Sequence, residues 1–144
     1  MCARLKFTVP EQFTKGNMNL FGPSTHEIEA RPGNAVPIIT KKGNVGMGLW
    51  NGFARIETLK NTWISKGWQP VKIINGTGFK ERDTVSGSKE LKEFGMKQGS
   101  TIAAVAKVIA GTNDRPCLEV KMVTQAAKGK VKEVHHRMPV IIEE

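Results

Sequence analysis

The second residue of the chain is a cysteine, and a polypeptide that began at Cys2 would carry an amine and a thiol two carbons apart. That pair closes a five-membered thiazolidine ring on an aldehyde. An α-amine has a reference pKa of about 7.7 to 8.0 against about 10.4 for lysine, so roughly a tenth of it is neutral near pH 7. Imine formation at Cys2 therefore needs no heavy desolvation. Glu81 and His135 are two of the chain's carboxylates and histidines, the side-chain types suited to moving protons near neutral pH. A carboxyl raised by partial burial serves as a general acid/base, and an imidazole titrates at about 6.5. Taken alone, a cysteine at position two is most often incidental, and Glu81, between Lys80 and Arg82, reads as well as a surface charge.

Other patterns carry less. Gly46-Met47-Gly48-Leu49-Trp50-Asn51-Gly52 has the look of a dinucleotide fingerprint, but its third glycine comes one residue late and no βαβ unit surrounds it. A Walker loop is absent. His135 and His136 are adjacent, so in an extended segment they would point to opposite faces, and no third ligand lies at a telling spacing. No metal site and no cofactor are expected. Cys2 and Cys117 are too few for a disulfide scaffold and form no CxxC pair, which predicts reduced thiols.

The elements that must position these residues belong to one domain, since 144 residues with 39% hydrophobic content support a single core. The formal net charge of +9, from 22 Lys and Arg against 13 Asp and Glu, makes a polyanion, nucleic acid first, the leading partner class. No apolar stretch is long enough for a membrane span or a signal peptide, so a cytoplasmic protein with no membrane partner is expected.

Residues 3–9 read as a strand and 16–23 as a turn-rich passage. The run 35–40 is β-branched, with Pro37 predicting an edge strand, and 41–44 reads as a hairpin turn into a strand over 45–50. Leu59, Trp63 and Ile64 predict a short helix within 57–68, closed at Gly67. Further strands are expected over 71–74, 101–109 and 118–122. Residues 82–99, with Leu91 and Phe94 as the only large apolar anchors, read as a mobile surface insertion with at most one helical turn. The fold class is α+β, dominated by antiparallel strands.

Four separated segments, in order, resemble the SOS-response-associated peptidase (SRAP) family. They are Met1-Cys2-Ala3-Arg4; the stretch from Ala30-Arg31-Pro32-Gly33 through Pro37, Gly48-Leu49 and Ala54-Arg55-Ile56-Glu57-Thr58-Leu59; Gly78-Phe79-Lys80-Glu81; and Val134-His135-His136-Arg137-Met138-Pro139-Val140-Ile141. The resemblance implies a curved, partly closed antiparallel sheet, barrel-like, with a few flanking helices. It implies autocatalytic removal of Met1, binding of single-stranded DNA in a basic groove, and covalent capture of abasic sites through an exposed Cys2, with lyase nicking as an accompanying activity. Glu81 is then the general acid/base and His135 assists at the opened sugar. Arg4, Arg55 and Arg137 contact phosphates. Of Trp50, Trp63 and Trp68, residues of a type more often found in the core, only Trp50, next to the motif, is expected to stack on bases, and Phe53 is expected to stack on a base or the sugar.

The chain also departs from the family. Phe53 stands where the family has asparagine, and Asn51, on the same face of an extended segment, is the expected substitute, with Asn75 as a second candidate. His136 replaces an aspartate, and Met47 and Arg82 replace tryptophans. A compact, divergent, viral type of variant fits these departures, as a monomer located at the nucleoid or, if viral, in the host cytoplasm. Phe53 and the short C-terminal part also motivate an alternative: a non-catalytic single-stranded-DNA-binding module of the same fold.

Overall fold

The computed structural model describes residues 2–13, 27–112 and 116–143. Met1 and the passage 16–23 lie outside the described residues. The strands are β1 (Cys2–Thr8), β2 (Glu27–Ala30), β3 (Ala35–Thr40), β4 (Val45–Arg55), β5 (Gln69–Ile73), β6 (Gly76–Arg82), β7 (Leu91–Gly95), β8 (Thr101–Gly111), β9 (Pro116–Ala126), β10 (Arg137–Pro139) and β11 (Ile141–Ile142). They form two sheets. One has the order β2-β1-β6-β7 and is wholly antiparallel. In the other, β9, β4, β3, β5 and β8 follow one another, and β8 pairs back onto β9 to close a ring. The β4–β9 contact is the parallel seam of that ring. The chain is thus mainly sheet, curved and partly closed, as expected of its class.

Alternation along the strands explains the closure. Val36 and Ile38, Trp50, Val71 and Ile73, Ile102, Ala104 and Ala106, and Val120 and Met122 recur at a period of two. They join Cys2, Leu5, Phe7 and Phe79 of the first sheet in one buried cluster. Full burial of each large apolar side chain contributes about 1.5–3 kcal/mol, so the first sheet is held by its apolar face.

Three expectations are corrected. Pro37 does not mark an edge: β3 lies between β4 and β5. The β3–β5 ladder starts at Ile38↔Ile73, and the Pro37 carbonyl accepts the Ile74 N–H at 3.0 Å, so no ladder bond needs the donor proline lacks. Residues 82–99 are not a loose insertion, because Leu91–Gly95 pairs with β6 and the Phe94 ring stacks on Phe79 at 5.4 Å. Gly78 permits that pairing: a Cβ there would sit 2.9 Å from the Phe94 carbonyl oxygen. The helix over 57–68 is one irregular stretch, a 3₁₀ turn at Ile56–Thr58, a π turn at Leu59–Trp63 and a 3₁₀ turn at Ile64–Lys66, ending at Gly67. Leu59 and Trp63 pack with Ala54, Val105 and Val123, while Ile64 stays exposed.

The end of the chain is wedged into the ring. The β8–β9 ladder runs from Gly111↔Pro116 to Ala104↔Met122; past that pair β10 takes up β9 and β11 takes up β8. Between them the Val140 N–H donates to Val123 O and the Ala103 N–H donates to Val140 O, both at 3.0 Å. This fixes the segment that carries His135 to Arg137.

Candidate active site

Cys2 and Glu81 face each other as register partners in the β1–β6 ladder, and both are buried. The ladder carries a bulge between Cys2 and Arg4. Beyond β6, the Thr84 and Val85 N–H groups donate to the Val134 carbonyl at 3.0 and 3.3 Å, tying the strand that bears Glu81 to the turn that bears His135. The sequence segments that begin and end the chain are thereby brought to one place.

Burial lifts the Glu81 carboxyl to about 7, where it exchanges a proton at neutral pH. Cys2 is not exposed, contrary to expectation. Its thiol donates to the Arg4 carbonyl at 3.0 Å, and burial together with the Glu81 charge pushes its pKa far above the ordinary thiol range. It is a protonated thiol, not a thiolate. His135 is buried, and its pKa is lowered by desolvation, so the ring is neutral at pH 7. Its Nδ1 accepts the Arg137 N–H at 3.1 Å, which leaves the proton on Nε2.

A cleft of about 240 Å³ opens beside this region, lined by Phe53, Arg55, Thr124, His135, His136 and Arg137. The His135 and His136 rings stack at 4.6 Å rather than pointing to opposite faces, because the segment is a turn and not extended. Arg55 is exposed at the cleft. Arg137 is not: its guanidinium is buried, forks onto both oxygens of Glu57 at 2.8 Å, and donates to Thr124 O at 2.9 Å and Thr124 Oγ1 at 3.2 Å. Its first task is to hold the β4 exit, β9 and the His135 turn together. Arg4 is half-buried and donates to the Ala3 carbonyl at 2.8 Å.

The remaining candidates are placed by one glycine. Gly52 has φ of +91° and sits in a β4 bulge, where Trp50↔Val120 is followed by Phe53↔Met122. The extra residue reverses the parity of the strand. Trp50 and Phe53 thus meet edge to face at 5.8 Å, and Trp50 is fully buried, which removes it as a stacking platform for bases. Asn51 turns away from Phe53 and donates its amide to Glu119 at 3.1 Å. Asn75 is no substitute either: its amide donates to Thr8 O at 3.2 Å, at the end of β1 opposite Cys2. Neither asparagine reaches the cleft.

Glu57 is the residue that sequence reasoning passed over. It was visible within the second segment, but nothing local pairs it with a residue 80 positions later. The Arg137 guanidinium holds its carboxyl down at about 2, so the pair stays ionised at any pH where the protein is handled. Its contribution to stability is complete above the ordinary carboxylate range and is lost only as pH falls through about 2. Arg137→Lys keeps the charge but not the fork. It is expected to lower Tm by about 5 °C and to shift and broaden the His135 imidazole signals, checked by thermal unfolding and proton NMR.

A scan against family models finds no match for this chain, and a search of curated proteins finds none either. No helix among the described residues is long and apolar enough to cross a membrane.

Proposed function

We propose that the chain binds single-stranded DNA and captures abasic sites covalently through Cys2, as a divergent SRAP-like protein. The observation that carries this reading is the pairing of Cys2 with Glu81, a carboxyl poised at about 7, at the start of β1. Once Met1 is removed, the Cys2 amine adds to the aldehyde carbon of a ring-opened abasic site and gives a carbinolamine. Protonated Glu81 delivers a proton to the departing hydroxyl, water leaves, the nitrogen of the resulting iminium returns its proton to the Glu81 carboxylate, and a neutral imine remains. The thiol then adds across the C=N bond: sulfur bonds to carbon, the thiol proton ends on nitrogen, and the thiazolidine closes. The neutral His135 ring, with its proton on Nε2, donates to the opened sugar oxygen. Because Cys2 is buried, the bulged leading end of β1 must part from β6 before the aldehyde reaches it.

The fully protonated thiol fits this order, since the amine reacts first and sulfur is needed only for ring closure. Phe53 fits the wall of a site for a sugar without a base. The test is incubation of purified protein with single-stranded abasic DNA, read on a denaturing gel and by intact mass. An SDS-resistant adduct and a protein mass lacking one methionine are expected. Abasic DNA that leaves the protein unshifted, or quantitative retention of Met1, overturns the reading.

One observation favours the binding-only alternative: both asparagines offered as replacements for the family's active-site amide are engaged elsewhere. In that case the same gel shows no adduct while salt-sensitive single-strand binding remains.

A further inference from the structure

We propose that the turn Gly129–Glu133, with Lys128 at its entrance, is the phosphate track that leads a single strand into the cleft. The proposal rests on the single-strand reading above and adds to it a surface that the sequence motifs do not contain. Several positive charges elsewhere on the surface are already neutralised. On the first sheet, Lys6 pairs with Glu27 and Glu93, Lys80 with Glu29, and Lys92 with Glu90. On the ring, Lys121 pairs with Glu119. Each of these four lysines would have to leave a carboxylate before it could serve a polyanion.

Lys128, Lys130 and Lys132 are all exposed, and none of them forms an ion pair among the described residues. One carboxylate, Glu133, shares the turn. Buried Val131 pins the turn to the core, so the lysines flank an anchored residue. The same Val131 carbonyl accepts the His135 N–H at 2.8 Å and the Val134 N–H at 2.9 Å, and the Ala127 N–H donates to the His136 carbonyl at 3.0 Å. The lysine turn and the cleft wall are therefore one hydrogen-bonded unit. Arg55 and His136 line the cleft that this unit borders.

Lys41, Lys42 and Lys107 provide the internal control. They are exposed and rim a separate hollow of about 730 Å³. Lys107 is paired in register with Glu119, five residues before Thr124 of the cleft wall, or roughly 17 Å along β9. Removing these three charges changes the net charge as much as removing the track does.

The experiment measures binding of an abasic 12-mer single strand by fluorescence anisotropy across a salt series. It compares the wild type with K128Q/K130Q/K132Q and with K41Q/K42Q/K107Q. Each phosphate neutralised on a single strand contributes about 0.7 to the log-log salt slope, so the track variant is expected to lose about 2 from that slope. Its affinity is expected to fall at least tenfold near 0.1 M salt. The control variant is expected to keep most of the slope. An unchanged slope in the track variant overturns the proposal, and so do equal losses in both variants, which would assign the effect to overall charge. If the wild type forms no adduct while the track variant still loses its share of the slope, the capture chemistry falls and the track stands. Absence of measurable single-strand binding in the wild type sinks both.

Discussion

Cys2→Ala is expected to eliminate the SDS-resistant adduct with abasic single strands while leaving their non-covalent affinity within about twofold of the wild type. Alanine keeps the backbone amine but removes the sulfur that closes the ring, so the chemistry stops at an imine, which water reverses. Borohydride added during the incubation would reduce that C=N bond and trap the intermediate. Trapped product from the variant, with none surviving untreated, separates the roles of nitrogen and sulfur. Intact mass must accompany the assay, because a variant that kept Met1 would present a different amine and give neither product. The fold should tolerate the change: Cys2 is the first residue of β1, and the loss of one small buried side chain lies at the mild end of large-to-small substitutions. Equal yields of stable adduct from variant and wild type would remove Cys2 from the mechanism.

How far the sequence foretold this arrangement depends on which interactions are local. β3, β4, β5, β8 and β9 were legible as apolar or alternating runs, since a strand that faces a core repeats every two residues. The ring was not legible, because the parallel β4–β9 seam joins segments some seventy residues apart with no turn to announce it. β7 was missed because only Leu91 and Phe94 mark its buried side among charged neighbours.

The site was legible to the extent that motifs carry residue types. Phe53, Arg55, His135 and Arg137 do line one cleft, and Cys2 does meet Glu81 in the ladder. Orientation failed wherever a single backbone feature reset it. The bulge at Gly52 placed Trp50 in the core and sent Asn51 to Glu119, and no property of either side chain signals that. Arg137 reads as a phosphate contact in the sequence because an arginine's partner is invisible until the chain is folded; Glu57 occupies its fork instead.

Glu81→Gln should slow adduct formation by about 100-fold or more, the usual range for a lost general acid/base being about 10² to 10⁴. The pH profile gives the sharper test. In the wild type, the rate rises as the α-amine loses its proton, with a reference value of about 7.7 to 8.0, and falls as Glu81 loses its own at about 7. A narrow bell near neutrality is expected. Glutamine cannot titrate, so the variant should keep the rising limb and lose the falling one.

The same group makes a prediction about stability, with the opposite sense to an ordinary salt-bridged carboxylate. Burial raises the folded-state pKa of Glu81 from 4.5 to about 7, so the native protein holds this proton more tightly than the unfolded chain does. Stability therefore declines as pH climbs from about 4.5 to about 7, and the penalty is complete above that window. The displacement corresponds to about 3 kcal/mol at most. Glu81→Gln should accordingly be less active yet more stable than the wild type at pH 8, with the advantage shrinking toward pH 5. Urea unfolding at the two pH values measures it. A wild-type stability that is flat across the window would mean that the carboxyl is solvated, and would take away the physical basis for its role as an acid at neutral pH.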